Sequence, residues 1–229
     1  MQKDSGMKKI RLNDETVYIS GAVILSLATA MLSAADFGLS VIVSPAYLVS
    51  LKSSFLTFGQ AEYVVQGILF VIFCCVMRQV KALYFGAFLS GVLYGFILDL
   101  WRALIPHFNP DMYAPGTLPM AVRIIYFIIG FFINAFGAVL YFKNRYYPQV
   151  YEFFVKGISE KYQKDLAGFK LRFDLVFLLL TLGVSFLLFH KLVAVGVGTL
   201  IMACCNGPLI GVYSRWFDRH FTVGKYKRK

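Results

Sequence analysis

The residues best placed to do chemistry in this chain are ionisable side chains inside or at the ends of long apolar runs. Glu62, Asp99, Arg123 and Asp174 are the principal ones, with Gln60 and Asn206 as uncharged polar companions. A charge in hydrocarbon is costly, so it pairs, faces water or serves a function. Asp36, Glu62, Asp99, Arg102 and Arg123 gather near one end of their runs, and Asp174 near the other. Asp99 and Arg102 are three apart and share a helix face. An Asp–Arg or Glu–Arg pair can hold a gate shut, and a lone carboxylate can carry a proton. The plainer reading is an interfacial charge among headgroups, and Asp36 and Arg102 are assigned to it. Gln66, Tyr47 and Tyr63 add hydrogen-bonding capacity nearby. Asn134 and Asn206 lie deeper, where an interhelical hydrogen bond accounts for either.

Other chemistries lack their parts. His107, His190 and His220 stand beside no nucleophile, and no zinc-protease, nucleophile-elbow or phosphate-loop motif occurs. The four cysteines form two adjacent pairs, Cys74–Cys75 and Cys204–Cys205. Neighbours on a helix point apart and do not readily bridge, and no metal-ligand spacing is present. They are expected to be buried packing residues. The chain is expected not to be an enzyme, and to need no metal or cofactor.

The elements that position these residues follow from composition. The 229-residue chain is 59% hydrophobic and 15% charged, too apolar to cover a soluble surface. Crossing ~30 Å of hydrocarbon takes ~20 apolar residues, and six such runs appear, at approximately 17–35, 61–77, 82–101, 118–142, 173–189 and 192–213. The net charge of +11 suggests anionic partners at first. Its placement instead follows topology. Lys3, Lys8, Lys9 and Arg11 precede the first run, Arg78 and Lys81 follow the second, seven Lys and Arg from Lys143 to Arg172 follow the fourth, and Arg215 to Lys229 hold six more after the sixth. The other connections are poor in Lys and Arg. This is the positive-inside pattern and puts both termini in the cytoplasm of a bacterial cell membrane. Membrane lipids are the expected surface partner and nucleic acid is not. The N-terminal run resembles a signal peptide only loosely, being too long for one, so an uncleaved first span is expected.

Glu62, Gly86 and Gly95 each have a counterpart 112 residues later, in Asp174, Gly198 and Gly207. Three spans per half force the second half to enter the membrane inverted, a transporter architecture. Each half reads as a long span, an irregular connection and two spans joined by a tight turn. In the first connection Pro45 interrupts an apolar stretch too short to span, which reads as a re-entrant or interfacial segment. In the second, Pro148 opens an amphipathic stretch to Lys156 that reads as a cytoplasmic surface helix. Gly91–Gly95 and Gly207–Gly211 are both G-x-x-x-G. Close helix packing is the plain reading of Gly86, Gly95, Gly198 and Gly207, and a discontinuous, substrate-coordinating helix the sharper one. Asn206–Gly207–Pro208 predicts a kink or unwinding in mid-span.

Several stretches carry a family resemblance: Ser44–Pro45–Ala46–Tyr47; Thr57–Phe58–Gly59–Gln60–Ala61–Glu62–Tyr63; Tyr94–Gly95–Phe96–Ile97–Leu98–Asp99; and Gly196–Val197–Gly198–Thr199 followed by Gly207–Pro208–Leu209–Ile210. From about Gly38 to Tyr213 the chain resembles the YczE/YyaS/YitT-like bacterial membrane proteins. The resemblance implies a polytopic inner-membrane protein without assigned biochemistry.

The expected fold is therefore all-α: one membrane domain over 1–229, with six transmembrane helices as two inverted three-helix repeats (about 17–104 and 118–215) and cytoplasmic tails at 1–16 and 216–229. The expected function is secondary transport of an unknown small solute by alternating access. The alternative is a non-transporting scaffold or regulator, with a homodimer possible through its G-x-x-x-G faces.

Overall fold

The structure is a computed structural model describing residues 9–144, 146 and 148–224. The basic residues Lys3, Lys8, Arg145, Lys225, Lys227, Arg228 and Lys229 lie outside the described residues, as does Tyr147. The described residues form eight α-helices: α1 (Asp14–Ala35), α2 (Ser44–Lys52), α3 (Phe58–Met77), α4 (Ala82–Leu104), α5 (Met120–Lys143), α6 (Val150–Lys161), α7 (Leu166–Phe189) and α8 (Val197–His220). Six of them, all but α2 and α6, are long and apolar enough to cross a membrane. The protein is an all-α polytopic membrane protein. A short strand β1 (Ile10–Leu12) pairs in parallel with β2 (Phe221–Val223) and brings the two chain ends to one face of the bundle. The C-terminal tail thus begins later than expected, because α8 continues to His220.

Local sequence sets the helix ends. Thr57 and Gln60 form a reciprocal capping box at the start of α3, which satisfies two otherwise free N–H groups. The Asp165 side chain accepts from the Gly168 N–H and starts α7 earlier than hydropathy alone marks it. Pro45 occupies the first turn of α2, where its missing N–H costs nothing; it starts a helix rather than breaking one. Pro208 does not unwind α8, which runs unbroken through Asn206–Gly207–Pro208.

The most extensive contact joins α1 to α5. Small residues make it possible. Gly130 packs on the Ala28 carbonyl and Gly137 on the Leu25 backbone, while Gly21 faces Leu140 and Tyr141. Small side chains let helix backbones approach closely where no hydrophobic effect drives association. Around this axis α4 packs on α1 and α8 on α5; α2 packs on α3 and α6 on α7; α3 packs on α6 and α2 on α7. Each of these contacts maps onto its neighbour when the first four helices are exchanged for the last four. Among the described residues two helix contacts lack a counterpart, a small one between α4 and α6 and a much larger one between α3 and α4. α3 and α4 pack closely, whereas among the described residues α7 and α8, although consecutive, scarcely touch.

α2 and α6 are half-length helices that start inside the bundle. Ser44, Ala46 and Tyr47 are buried at the start of α2, with the Val41 carbonyl beside Thr181 in the middle of α7. Gln149, Val150 and Tyr151 are buried at the start of α6, level with Gln66 near the middle of α3. α6 then follows α3 outward: Gly157 meets Phe73, and Lys161 donates to the Val76 carbonyl at 2.7 Å. Its 12 residues span about 18 Å. The Pro148–Lys156 stretch is therefore helical as its periodicity predicts, but it is inserted on end rather than laid on a surface. Its aromatic residues explain the difference, since Tyr151, Phe153 and Phe154 stack into rings of α3 and α7.

The cysteine expectation fails. Cys75, Cys204 and Cys205 are exposed on the bundle and Cys74 is half-buried. The glycines divide as well. Gly95 lies against Gly59, with no room for a Cβ on either, and Gly198 lies against the Phe37 carbonyl. A Cβ on Gly207 would meet nothing within 4 Å. Gly59→Ala or Gly95→Ala should lower the thermal unfolding midpoint in detergent, costing about 1–3 kcal/mol through overpacking, while Gly207→Ala should stay within about 0.5 kcal/mol of wild type.

Candidate functional site

The gap between α7 and α8 is the wall of a cavity of about 420 Å³. The starts of both half-helices reach it: Ser40, Val41 and Ile42 before α2, and Pro148 and Gln149 before α6. Its deep end is polar and uncharged, with Thr29, Tyr94, Asn134, Thr199 and Asn206. The Tyr94 hydroxyl donates to Thr29 Oγ1 at 2.7 Å, and Asn134 Nδ2 to Asn206 Oδ1 at 3.4 Å. Glu152, Lys170 and Asp174 stand at its mouth. Through Tyr141, Phe142, Pro148, Glu152 and Lys170 it is continuous with a wider space of about 990 Å³ on the face that carries the chain ends.

The opposite face is stitched shut. The Gly198 N–H donates to the Phe37 carbonyl at 2.7 Å and the Leu39 N–H to the Ala194 carbonyl at 3.0 Å. The two connections meet backbone to backbone, and a Cβ at Gly196 or Gly198 would strike the Phe37 carbonyl. Gly38 adopts φ +103° there, a conformation available to glycine at little cost. Arg123 clamps the same place. Its Nε donates to the Ala35 carbonyl at 2.8 Å, its Nη2 to the Asp36 carbonyl at 2.9 Å and to Asp36 Oδ2 at 3.4 Å, and its guanidinium lies over the Phe37 ring. A cation at a helix C-terminus opposes the macrodipole and satisfies orphan carbonyls.

The sequence-derived candidates thus separate. Arg123 pairs with Asp36, not with Glu62 or Asp99. Asp99 accepts from the Gly59 N–H at 2.8 Å and from the Thr57 hydroxyl, capping α3 and locking it to α4. Gln60 belongs to that cap. Arg102 donates to the Phe108 carbonyl and lies over Phe58. Asp174 pairs with Lys170 at 3.1 Å, half-exposed at the cavity mouth. Asn206 lies in the cavity wall. Glu62 is fully buried behind that wall: Gln66 Nε2 and the Tyr151 hydroxyl donate to its Oε2 at 3.2 and 3.1 Å. Gln66 also reaches Gln149 Oε1 at 3.3 Å.

Sequence reasoning missed Gln149, Tyr151 and Glu152. Pro148 marks a helix start, but no local signal says that the start is buried. Burial pushes the Glu152 carboxyl above its ordinary range, with nearby Lys170 opposing the shift. A carboxyl raised on folding contributes stability at low pH that is lost as pH climbs past the unfolded value, 4.5 for Glu. Glu152→Gln should therefore gain stability relative to wild type as pH rises from about 4.5 to 7, read as a widening difference in thermal midpoints. Arg123→Gln should cost about 1–3 kcal/mol, because it strips a buried cap, whereas Asp174→Asn at a half-exposed pair should cost under about 1 kcal/mol.

Residues 12–215 match a family described as a family of unknown function, DUF6198, and the chain belongs to that family. No curated protein and no solved structure matches the chain.

Proposed function

From a family without an assigned activity, we propose that this chain is a secondary transporter of a small solute, held here with its pathway open to one face. The observation that carries the reading is the cavity: it enters from the face bearing the chain ends, ends on uncharged polar groups between two half-helix starts, and is closed beyond them by the Phe37–Gly198 contact. About 420 Å³ suits a metabolite-sized solute. Thr29, Tyr94, Asn134 and Asn206 offer hydrogen bonds in place of water. In this reading the chain catalyses no covalent chemistry. The positive-inside pattern makes the open face cytoplasmic in a bacterial cell membrane.

The two halves are read as inverted repeats of a long span, a half-helix and two further spans. The exchange of helix contacts between halves supports this, and the larger exception gives the motion. α3 and α4 are zipped through Gly59, Gly95 and Asp99, while α7 and α8 stand apart. Exchanging those two conditions closes the inner cavity and opens an equivalent one on the other face. The YczE/YyaS/YitT-like resemblance agrees with a polytopic protein of this kind. A scaffold is the second reading, favoured by one observation: the face of α8 that carries Val197, Leu200 and Cys204 is exposed among the described residues and lies outside the cavity lining, as on a helix awaiting a second copy.

Impermeant maleimide separates the two. In a background with all four cysteines replaced by serine, a single cysteine at Ala138 or Leu178 lines the cavity. Reagent on the terminal face should label both sites, and reagent on the opposite face should label neither. A cysteine at Phe55, exposed on the opposite face, should show the reverse. Labelling of the cavity sites from neither face contradicts the transporter.

A further inference from the structure

Glu62 is a carboxyl where a carboxyl weakens the fold. It is fully buried, and its Oε1 has neither solvent nor a hydrogen-bond partner. The ionisable groups acting on it are not cations: Tyr94 faces it from α4 and Tyr151 and Glu152 from α6, while Tyr47 of α2 and Arg102 of α4 both lie against Phe58 a turn away, Arg102 donating to the Phe108 carbonyl. None of the ion pairs among the described residues includes it. An unpaired carboxylate in that position carries a heavy desolvation cost, and a glutamine would fill the same space without it.

We propose that Glu62 is a proton-binding site coupled to the opening and closing of the cavity. The inference rests on the transporter reading and names its coupling ion. The geometry supplies the linkage. Gln66 Nε2 bridges Glu62 Oε2 and Gln149 Oε1, and Gln66 Oε1 accepts from the Val150 N–H at 3.3 Å. The first turn of α6 therefore hangs on the residue that Glu62 holds. Tyr151 connects the carboxyl directly to Phe177 of α7, ring to ring at 5.7 Å. In this assignment Glu62 is protonated and neutral in the present arrangement. Loss of the proton breaks only the O–H bond: the electron pair stays on the carboxylate, and the proton leaves past Tyr94 or Glu152, neighbours of Glu62 that line the cavity, to the solvent there. The new charge then seeks donors, and the N-terminal turn of α6, already tied to it through the Tyr151 hydroxyl, presents a helix dipole that favours an anion. Drawing that turn toward Glu62 carries Tyr151 and α7 with it and changes the spacing of α7 and α8. Rebinding a proton restores the spacing.

The test needs no solute. In the cysteine-free full chain in lipid nanodiscs, spin labels at Val176 of α7 and Val212 of α8, both exposed, report the gap by pulsed electron–electron distance measurement. Between about pH 5 and pH 9 the wild type should exchange one α7–α8 distance for another as pH rises. Glu62→Gln should hold the low-pH distance at every pH. Glu152→Gln and Asp174→Asn should retain the exchange. If Glu62→Gln does not fold, Tyr151→Phe reads the same linkage: losing a donor to the carboxylate should raise the pH of the midpoint. A Glu62→Gln protein that titrates like wild type, an unshifted Tyr151→Phe midpoint, or a wild-type distance indifferent to pH overturns the proton site. If the maleimide pattern at Ala138 and Leu178 survives such a result, transport stands and only its coupling ion is wrong. If that pattern fails as well, both readings fall.

Discussion

Inside hydrocarbon every backbone N–H and C=O must find a partner within the protein, and two helices of this chain begin there. Their starts are the expensive places in the fold. At α2, the Ser40 carbonyl accepts the Val43 and Ser44 N–H groups and the Ser44 hydroxyl, and the Val41 carbonyl accepts the Thr181 hydroxyl. At α6, Gln66 Oε1 accepts the Val150 N–H, and the Gln149 carbonyl accepts the Phe153 N–H. Each half-helix is thereby bound to a spanning helix of the other half, α2 to α7 and α6 to α3. A polar side chain in mid-span, Thr181 or Gln66, is what the half-helix start requires. A cavity follows from the same constraint, because irregular backbone at that depth is tolerated only against protein or water.

The α1–α5 pair serves as the axis. Its glycine notches bring the two backbones together and leave little freedom to slide, since any shift carries Leu25, Ala28 and Leu140 off the glycines that make room for them. The outer helices are held less uniformly. α3 and α4 share a glycine contact and a carboxylate cap, while α8 touches chiefly α5. The less constrained side of the molecule is the side where the cavity opens.

Much of the architecture was legible in the sequence. The six spans follow from apolar runs, and basic connections put both ends on one face, where β1 and β2 pair. Helix ends were less legible. α8 starts after Gly196 because Val193–Gly196 is drawn in beside Phe37 and Leu39, a tertiary contact without local signature. The polar residues were found, but their roles were not. Asp99 read as a gate charge and caps α3, and Arg123 clamps the closed face through Asp36 rather than through Glu62 or Asp99, because the donors and acceptors they serve come from distant segments. Glu62 stands near the start of α3 as expected, but its burial against α6 was not legible, since nothing in Pro148–Lys156 distinguishes a helix on a surface from one inserted end-on. Gln66 stands one turn from Glu62 and was legible as a companion; Gln149 was not, for the same reason as α6 itself.

The central claim is that water reaches the starts of both half-helices from one face only. Backbone hydrogen–deuterium exchange in nanodiscs tests this most directly. The account predicts fast exchange at Ser40–Ile42 and slow exchange at Thr29–Met31 of α1, which are equally deep but sit within a continuous helix. Equal protection of the two segments would mean a dry interior, and would contradict the account.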